Sequence, residues 1–165
     1  MKALSIRQPW AHMITNRVDH TATLYAPSGQ EIRQERFDFK DVENRTWQTS
    51  YRGELLIHAS ANKGFERLVL IERERSSYAS AASLFCQIPH DEKLHLGGIV
   101  GVAELWDCVD RGIESPWWEG QWGWRLRLPK ALPFSPLKGK LGLFDVQDSD
   151  IREETLEALR LWRER

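Results

Sequence analysis

The sequence predicts an α+β domain: a small, mostly antiparallel β-barrel flanked by two to four helices, with an inserted β-hairpin and a C-terminal helix. Three observations predict it. Six or so segments have strand length and are either alternating or continuously apolar. Two or three others repeat apolar residues at helical spacing. The chain has 165 residues, one domain's worth, enough to bury a core without disulfides or a structural metal.

The elements follow in chain order. Leu4-Ser5-Ile6-Arg7 alternates apolar and polar and reads as a short strand. Gln8-Pro9-Trp10 then turns the chain, and Pro9 suits the first turn of a helix. Trp10, Met13 and Ile14 recur at helical spacing, so a short helix runs from Pro9 to about Asn16. Between Val18 and Phe39 two strand-like arms, Thr21–Tyr25 and Gln30–Gln34, flank the turn residues Ala26-Pro27-Ser28-Gly29. Mixed charge and few apolar side chains suggest that this hairpin, inserted over 18–39, projects from the core.

Lys40 to Thr49 reads as a strand with Glu43, Arg45 and Trp47 on one face and Val42, Asn44 and Thr46 on the other. Gly53–Ala59 is largely apolar, as a buried central strand is. Lys63 to Cys86 is helical in composition, with Phe65, Leu68, Val69, Ala82 and Phe85 as an imperfect stripe and Ser76-Ser77 as a break between two helices. Gly97 to Cys108 is a long strand whose double glycine suggests a bulge or a close backbone approach. Trp122 to Leu128 alternates cleanly, with Arg125 and Arg127 on the polar face as either a nucleic-acid rim or a solvated sheet face. Leu141–Val146 is the last strand. Asp150-x-x-Glu153 then resembles a capping box opening a helix with Ile151, Leu156, Leu159 and Trp162 as its stripe.

Composition limits the function. Lys and Arg number 23 against 24 Asp and Glu, a formal charge of −1 that excludes a polybasic coat for nucleic acid but leaves room for a local basic cleft. No apolar run reaches the roughly 18 residues of a membrane span, and no secretory signal is visible, so a cytoplasmic protein without membrane association is expected. Cys86 and Cys108 read as reduced, buried thiols. The scattered histidines offer no zinc spacing, His90 and His95 included, so neither a metal nor a cofactor is expected. His58, inside an apolar run, reads as a satisfied core histidine. Eight tryptophans stand out, five of them within Trp106–Trp124. Trp rings pack cores, and they also stack on planar ligands such as bases.

Several motifs resemble one family. Leu4-Ser5-Ile6-Arg7-Gln8-Pro9-Trp10-Ala11, Lys40-Asp41-Val42-Glu43-Asn44-Arg45-Thr46-Trp47, Tyr51-Arg52-Gly53, Leu56-Ile57-His58-Ala59-Ser60, Gly98-Ile99-Val100-Gly101, Asp107-Cys108 and Ser115-Pro116-Trp117 occur in this order. Together they resemble the ASCH domain, a branch of the PUA-like superfamily, over about residues 1–146, with 147–165 as a helical extension. The resemblance implies a PUA-like β-barrel with a cleft beside its first helix and a connection to nucleic acid. Some members bind DNA or RNA, some are reported as ribonucleases, and a subgroup hydrolyses N4-acylated cytidine. Lys40, Glu43 and Arg45 fall on the family's signature positions. Asp38 stands where the signature has Gly, and the hairpin lengthens the approach to Lys40. Glu43 stands where the hydrolase subgroup has its Thr nucleophile. A carboxylate acyl acceptor would form an anhydride rather than an ester.

The candidate residues suit such a cleft. Lys40 could position a phosphate or, in a dry site, transfer a proton. Glu43 could accept from a base amino group, with Asn44 beside it, or act as general base. Arg45 could hold Glu43 or fork onto phosphate. Trp10 and Trp47 could flank a base, Arg52 next to Tyr51 could contact phosphate, and Ser115 and Trp117 could border the ligand. The plain alternative is a structural Lys–Glu–Arg network at the barrel rim. Three functions are therefore weighed: capture of single-stranded RNA or DNA or of a modified nucleobase; hydrolysis of RNA or an acylated nucleoside by Lys40 and Glu43; and a protein-interaction adaptor using the hairpin and terminal helix.

Overall fold

The computed structural model describes residues 1–16, 20–25, 31–37, 39–62, 94–115, 117, 118, 120 and 122–165, with 20–25 and 31–37 described by their backbone. The strands are β1 (Lys2–Ile6), β2 (His20–Tyr25), β3 (Glu31–Phe37), β4 (Val42–Arg45), β5 (Gly53–Ala59), β6 (Gly98–Val109), β7 (Trp122–Pro136) and β8 (Leu143–Asp145). The helices are α1 (Trp10–Thr15) and α2 (Glu153–Arg163). The helices expected over Lys63–Cys86 lie outside the described residues, as do Cys86 and His90.

Six strands form one mixed, curled sheet in the order β4-β7-β6-β5-β1-β8. Only β1 and β5 pair in parallel; the other neighbours are antiparallel. The expected α+β class and barrel-like curl are therefore present. β2 and β3 form the expected hairpin as a separate two-stranded sheet.

Both faces of the large sheet are covered, which explains the continuous apolar run of β5. Leu4, Ile6, Leu55, Ile57, Leu105 and Trp124 pack with Ala11 and Ile14 of α1 on one face. Ala3, Leu56, Ile99, Val102 and Phe144 pack with Leu156 and Leu159 of α2 on the other. Neighbouring residues of β1 and β5 thus feed opposite cores, as strand alternation requires.

Three elements differ from expectation. β7 does not stop at Leu128 but runs on through Pro129 and Pro133. A proline normally interrupts a ladder, yet here bulges absorb both. From Glu104↔Arg127 to Val102↔Lys130, and from Ile99↔Ser135 to Gly101↔Ala131, β7 carries extra residues. Leu128 takes the left-handed conformation, φ 54°, next to the first of these. The strand expected over Lys40–Thr49 shrinks to β4, because only Val42–Arg45 finds partners on β7. Finally, Asp150 does not cap α2. Its Oδ2 accepts from the Gln147 amide at 2.9 Å and closes a separate 3-10 turn over Asp148–Asp150. α2 begins one turn later with Arg152 at its cap position, pinned by Thr155 Oγ1 donating to the Pro133 carbonyl at 3.0 Å.

The insertion leaves and re-enters the domain at one place. The Lys40 amide donates to the Met13 carbonyl at 2.8 Å and the Asn16 amide to the His12 carbonyl at 2.8 Å. The Met13 carbonyl is an end group of α1 that needs a donor from outside the helix, and the Asn16 bond closes the last turn from its cap position.

Candidate functional site

The site grows from the two edges of the curled sheet. β8 pairs with β1 only from Lys2 to Leu4. The next carbonyl on that side, Ser5 O, has no strand to bond. Arg45 of β4, at the other edge of the sheet, donates to it from Nη2 at 2.8 Å. Arg45 therefore ties the two edges of the curled sheet together.

Glu43 supports that bridge. Its Oε1 lies 3.2 Å from Arg45 Nη2, and its Oε2 accepts from Lys40 Nζ at 2.8 Å. Lys40 Nζ also donates to the Val42 carbonyl and lies 5.8 Å from the centroid of Trp10. Lys40 is 4% exposed and Glu43 8%, so this pair sits in a poorly solvated place, with the Arg45 side chain 22% exposed beside it. Arg45 Nε is buried without a hydrogen-bond acceptor. The third hydrogen of the Lys40 ammonium is likewise not used by Val42 or Glu43. The three side chains carry two positive charges and one negative.

A loop closes over this network. Ser115 Oγ donates to Asp41 Oδ1 at 2.6 Å and accepts from the Trp117 amide at 3.2 Å. Asn44 Nδ2 donates to the Trp117 carbonyl at 2.7 Å. These bonds hold the Trp117 ring edge-on to Trp10, with centroids 6.4 Å apart. Ser115 thus fastens the loop, and its partner Asp41 is a residue the sequence reading did not single out.

Other candidates lie in different surroundings. The Trp47 ring packs T-shaped on the buried Trp124, 4.6 Å between centroids, and its carbonyl accepts from Trp124 Nε1 at 3.2 Å. The structure therefore brings Trp10 to Trp117 and Trp47 to the core. Arg52 Nη1 donates to the Thr49 and Tyr51 carbonyls, each at 2.9 Å, and Nη2 lies 3.4 Å from Asp107. Arg52 so ties the turn entering β5, where Gly53 takes φ 116°. Arg125 and Arg127 lie over the Trp106 ring, and Arg127 forks onto Glu104 at 2.7 and 2.9 Å, the behaviour of a solvated sheet face. His58 is buried with Nε2 2.8 Å from the Leu137 carbonyl and Nδ1 3.2 Å from Ser5 Oγ. A carbonyl can only accept, so Nε2 carries hydrogen and donates, while Nδ1 shares a hydrogen bond with the Ser5 hydroxyl. This is the satisfied core histidine expected.

Tyr51 donates its hydroxyl to the Glu54 carbonyl. Burial, then the nearby Glu54 charge, raises its hydroxyl above the ordinary 10.0. The folded protein thus holds this proton more tightly than the unfolded chain, so stability present below pH 10 falls as pH rises past it. Tyr51→Phe should flatten this alkaline loss, read from urea midpoints across the alkaline range.

Among the described residues no group of three or more His, Cys, Asp or Glu side chains could hold a metal ion. No described helix is long and apolar enough to cross a membrane. No protein-family model matches the chain, and no curated protein matches it.

Proposed function

We propose that this is an ASCH-like, PUA-like cytoplasmic protein that captures single-stranded RNA or DNA, or a modified nucleobase, beside the Lys40–Glu43–Arg45 network. One observation carries the reading. Lys40 and Glu43 are buried, Arg45 is half-buried beside them, the three carry an excess positive charge, and Arg45 Nε has no acceptor. A buried donor left unpaired costs roughly 1–3 kcal/mol, and an acceptor-rich ligand that draws Arg45 outward would recover it. Base carbonyls, ring nitrogens and phosphate oxygens are such acceptors. Trp10 and Trp117 add aromatic surface at the same place.

The test uses wild type, Lys40→Met and Trp117→Ala with single-stranded RNA, single-stranded DNA and N4-acetylcytidine. Quenching of Trp fluorescence reads binding. Saturable quenching in wild type, weakened about tenfold or more in both variants, is expected, because each loses a contact of about 1–3 kcal/mol. Equal affinities in all three proteins would remove the reading.

A second reading rests on the 2.8 Å contact between Lys40 and Glu43, which would let the pair exchange a proton during hydrolysis. Mass spectrometry of the same mixtures separates the two. Product that forms with wild type and not with Glu43→Gln would make the protein a hydrolase.

A further inference from the structure

Most described surface cations are paired: Lys2 with Asp145, Arg127 with Glu104, Arg160 with Glu153 and Arg163 with Glu54 are examples. Arg7, Lys138 and Lys140 are exposed and have no such pair. Lys140 acts on Asp145 only through space, adding weakly to the Lys2 hydrogen bond that chiefly holds that carboxyl below its usual range. Lys130 and Arg165 are also without an ion pair, but they lie on β7 and at the chain end.

The three cations are carried on backbone that meets at Ser5. Gly139, between the two lysines, packs so closely that a Cβ there would lie 2.7 Å from Ser5 Oγ and 2.6 Å from His58 Cε1. The same segment is anchored by the Leu137 amide on the Gly97 carbonyl at 3.0 Å and by His58 on the Leu137 carbonyl. Its lysines are therefore carried on fixed backbone. Arg7 follows β1 two residues after Ser5. The Ser5 carbonyl is the one that Arg45 holds. Ser5 thus joins the network, through its carbonyl, to the backbone that carries these cations. Beyond Lys140, Leu141 is fully exposed on the same segment.

We infer that Arg7, Lys138 and Lys140 form a phosphate track leading from the Lys40–Glu43–Arg45 network, so that the ligand is a phosphodiester strand rather than a free nucleoside. This rests on the nucleic-acid reading above and narrows it. A free nucleoside has no phosphate for these cations, whereas a strand with one base at the network carries its neighbouring phosphates over them. Unpaired, fully hydrated cations also release counter-ions on meeting phosphates, the source of salt-dependent affinity.

The test compares wild type, Lys138→Ala/Lys140→Ala, Arg7→Ala and a control, Arg160→Ala, which removes one charge from α2. Labelled single-stranded RNA and DNA of about 12 nucleotides are titrated between about 50 and 200 mM salt, and cytidine is titrated in parallel. The double variant is expected to lower the slope of log affinity against log salt by about 1.4, and Arg7→Ala by about 0.7, at roughly 0.7 per phosphate contact on a single strand. Cytidine quenching and the control should not change. An unchanged slope in the double variant, with wild type binding the strand, would overturn the track and leave the nucleic-acid reading standing. Wild type quenched by neither strand nor cytidine would overturn both. Polyglutamate bound with the same lysine dependence would make this an acidic-protein surface and overturn the track.

Discussion

Glu43→Ala is expected to destabilise the protein by about 3–5 kcal/mol, the usual cost of removing one partner from a buried charge network. Glu43 takes Lys40 on one oxygen and Arg45 on the other. Without it, two cations face each other in a poorly solvated place, and the Arg45 bridge to Ser5 loses its support. Urea unfolding monitored by circular dichroism reads the loss as a lower midpoint with little change in slope. Lys40→Met with Glu43→Gln should recover most of it. That pair removes the unpaired ammonium and leaves an amide oxygen for Arg45. A loss below about 1 kcal/mol for Glu43→Ala would mean that the network is solvated and behaves as a surface ion pair. The excess-donor argument for a ligand would then lose its basis.

Much of the fold was readable from local pattern. Leu4 to Arg7 and Gly53–Ala59 bury the apolar side chains that their pattern marked, and the helix expected from Pro9 buries Met13 and Ile14 while Trp10 stays half-exposed. Pattern failed where pairing across the chain overrules local chemistry. Pro129 and Pro133 argue for a strand end, but the bulges that hold them depend on β6. Asp150 has the spacing of a helix cap, but the 3-10 turn before α2 takes its carboxylate. The candidate site shows the same division. Lys40, Glu43 and Arg45 stand close in sequence, and the structure joins them into one network. Asp41 and Ser115 meet across 74 residues. The Ser5 carbonyl became a site atom only because β8 ends at Leu4 and the sheet curls. A backbone acceptor carries no mark in the sequence, so no motif could have shown it.

Trp124→Ala should cost about 3–5 kcal/mol, while Trp117→Ala should cost about 1 kcal/mol or less. The two rings come from one Trp-rich stretch and look equivalent in sequence. In the structure Trp124 is fully buried, packed on Trp47 and bonded through Nε1 to the Trp47 carbonyl. Its removal leaves both a large cavity and an orphaned acceptor. Trp117 lies part-exposed on a loop whose backbone is bonded to Asn44 and Ser115. Trp124→Phe separates the two costs of losing Trp124. It keeps most of the apolar volume but gives up the indole donor, so about 1–2 kcal/mol should remain lost. Thermal or urea unfolding gives the stability, and ligand quenching gives the function on the same samples. Trp117→Ala should fold normally and bind poorly. Trp124→Phe should fold less stably and, below its unfolding midpoint, bind as wild type does. If Trp124→Phe instead lost binding while remaining folded, the ligand would reach the Trp47–Trp124 pair. The base would then stack against the Trp47–Trp124 core and not on the Trp10–Trp117 surface.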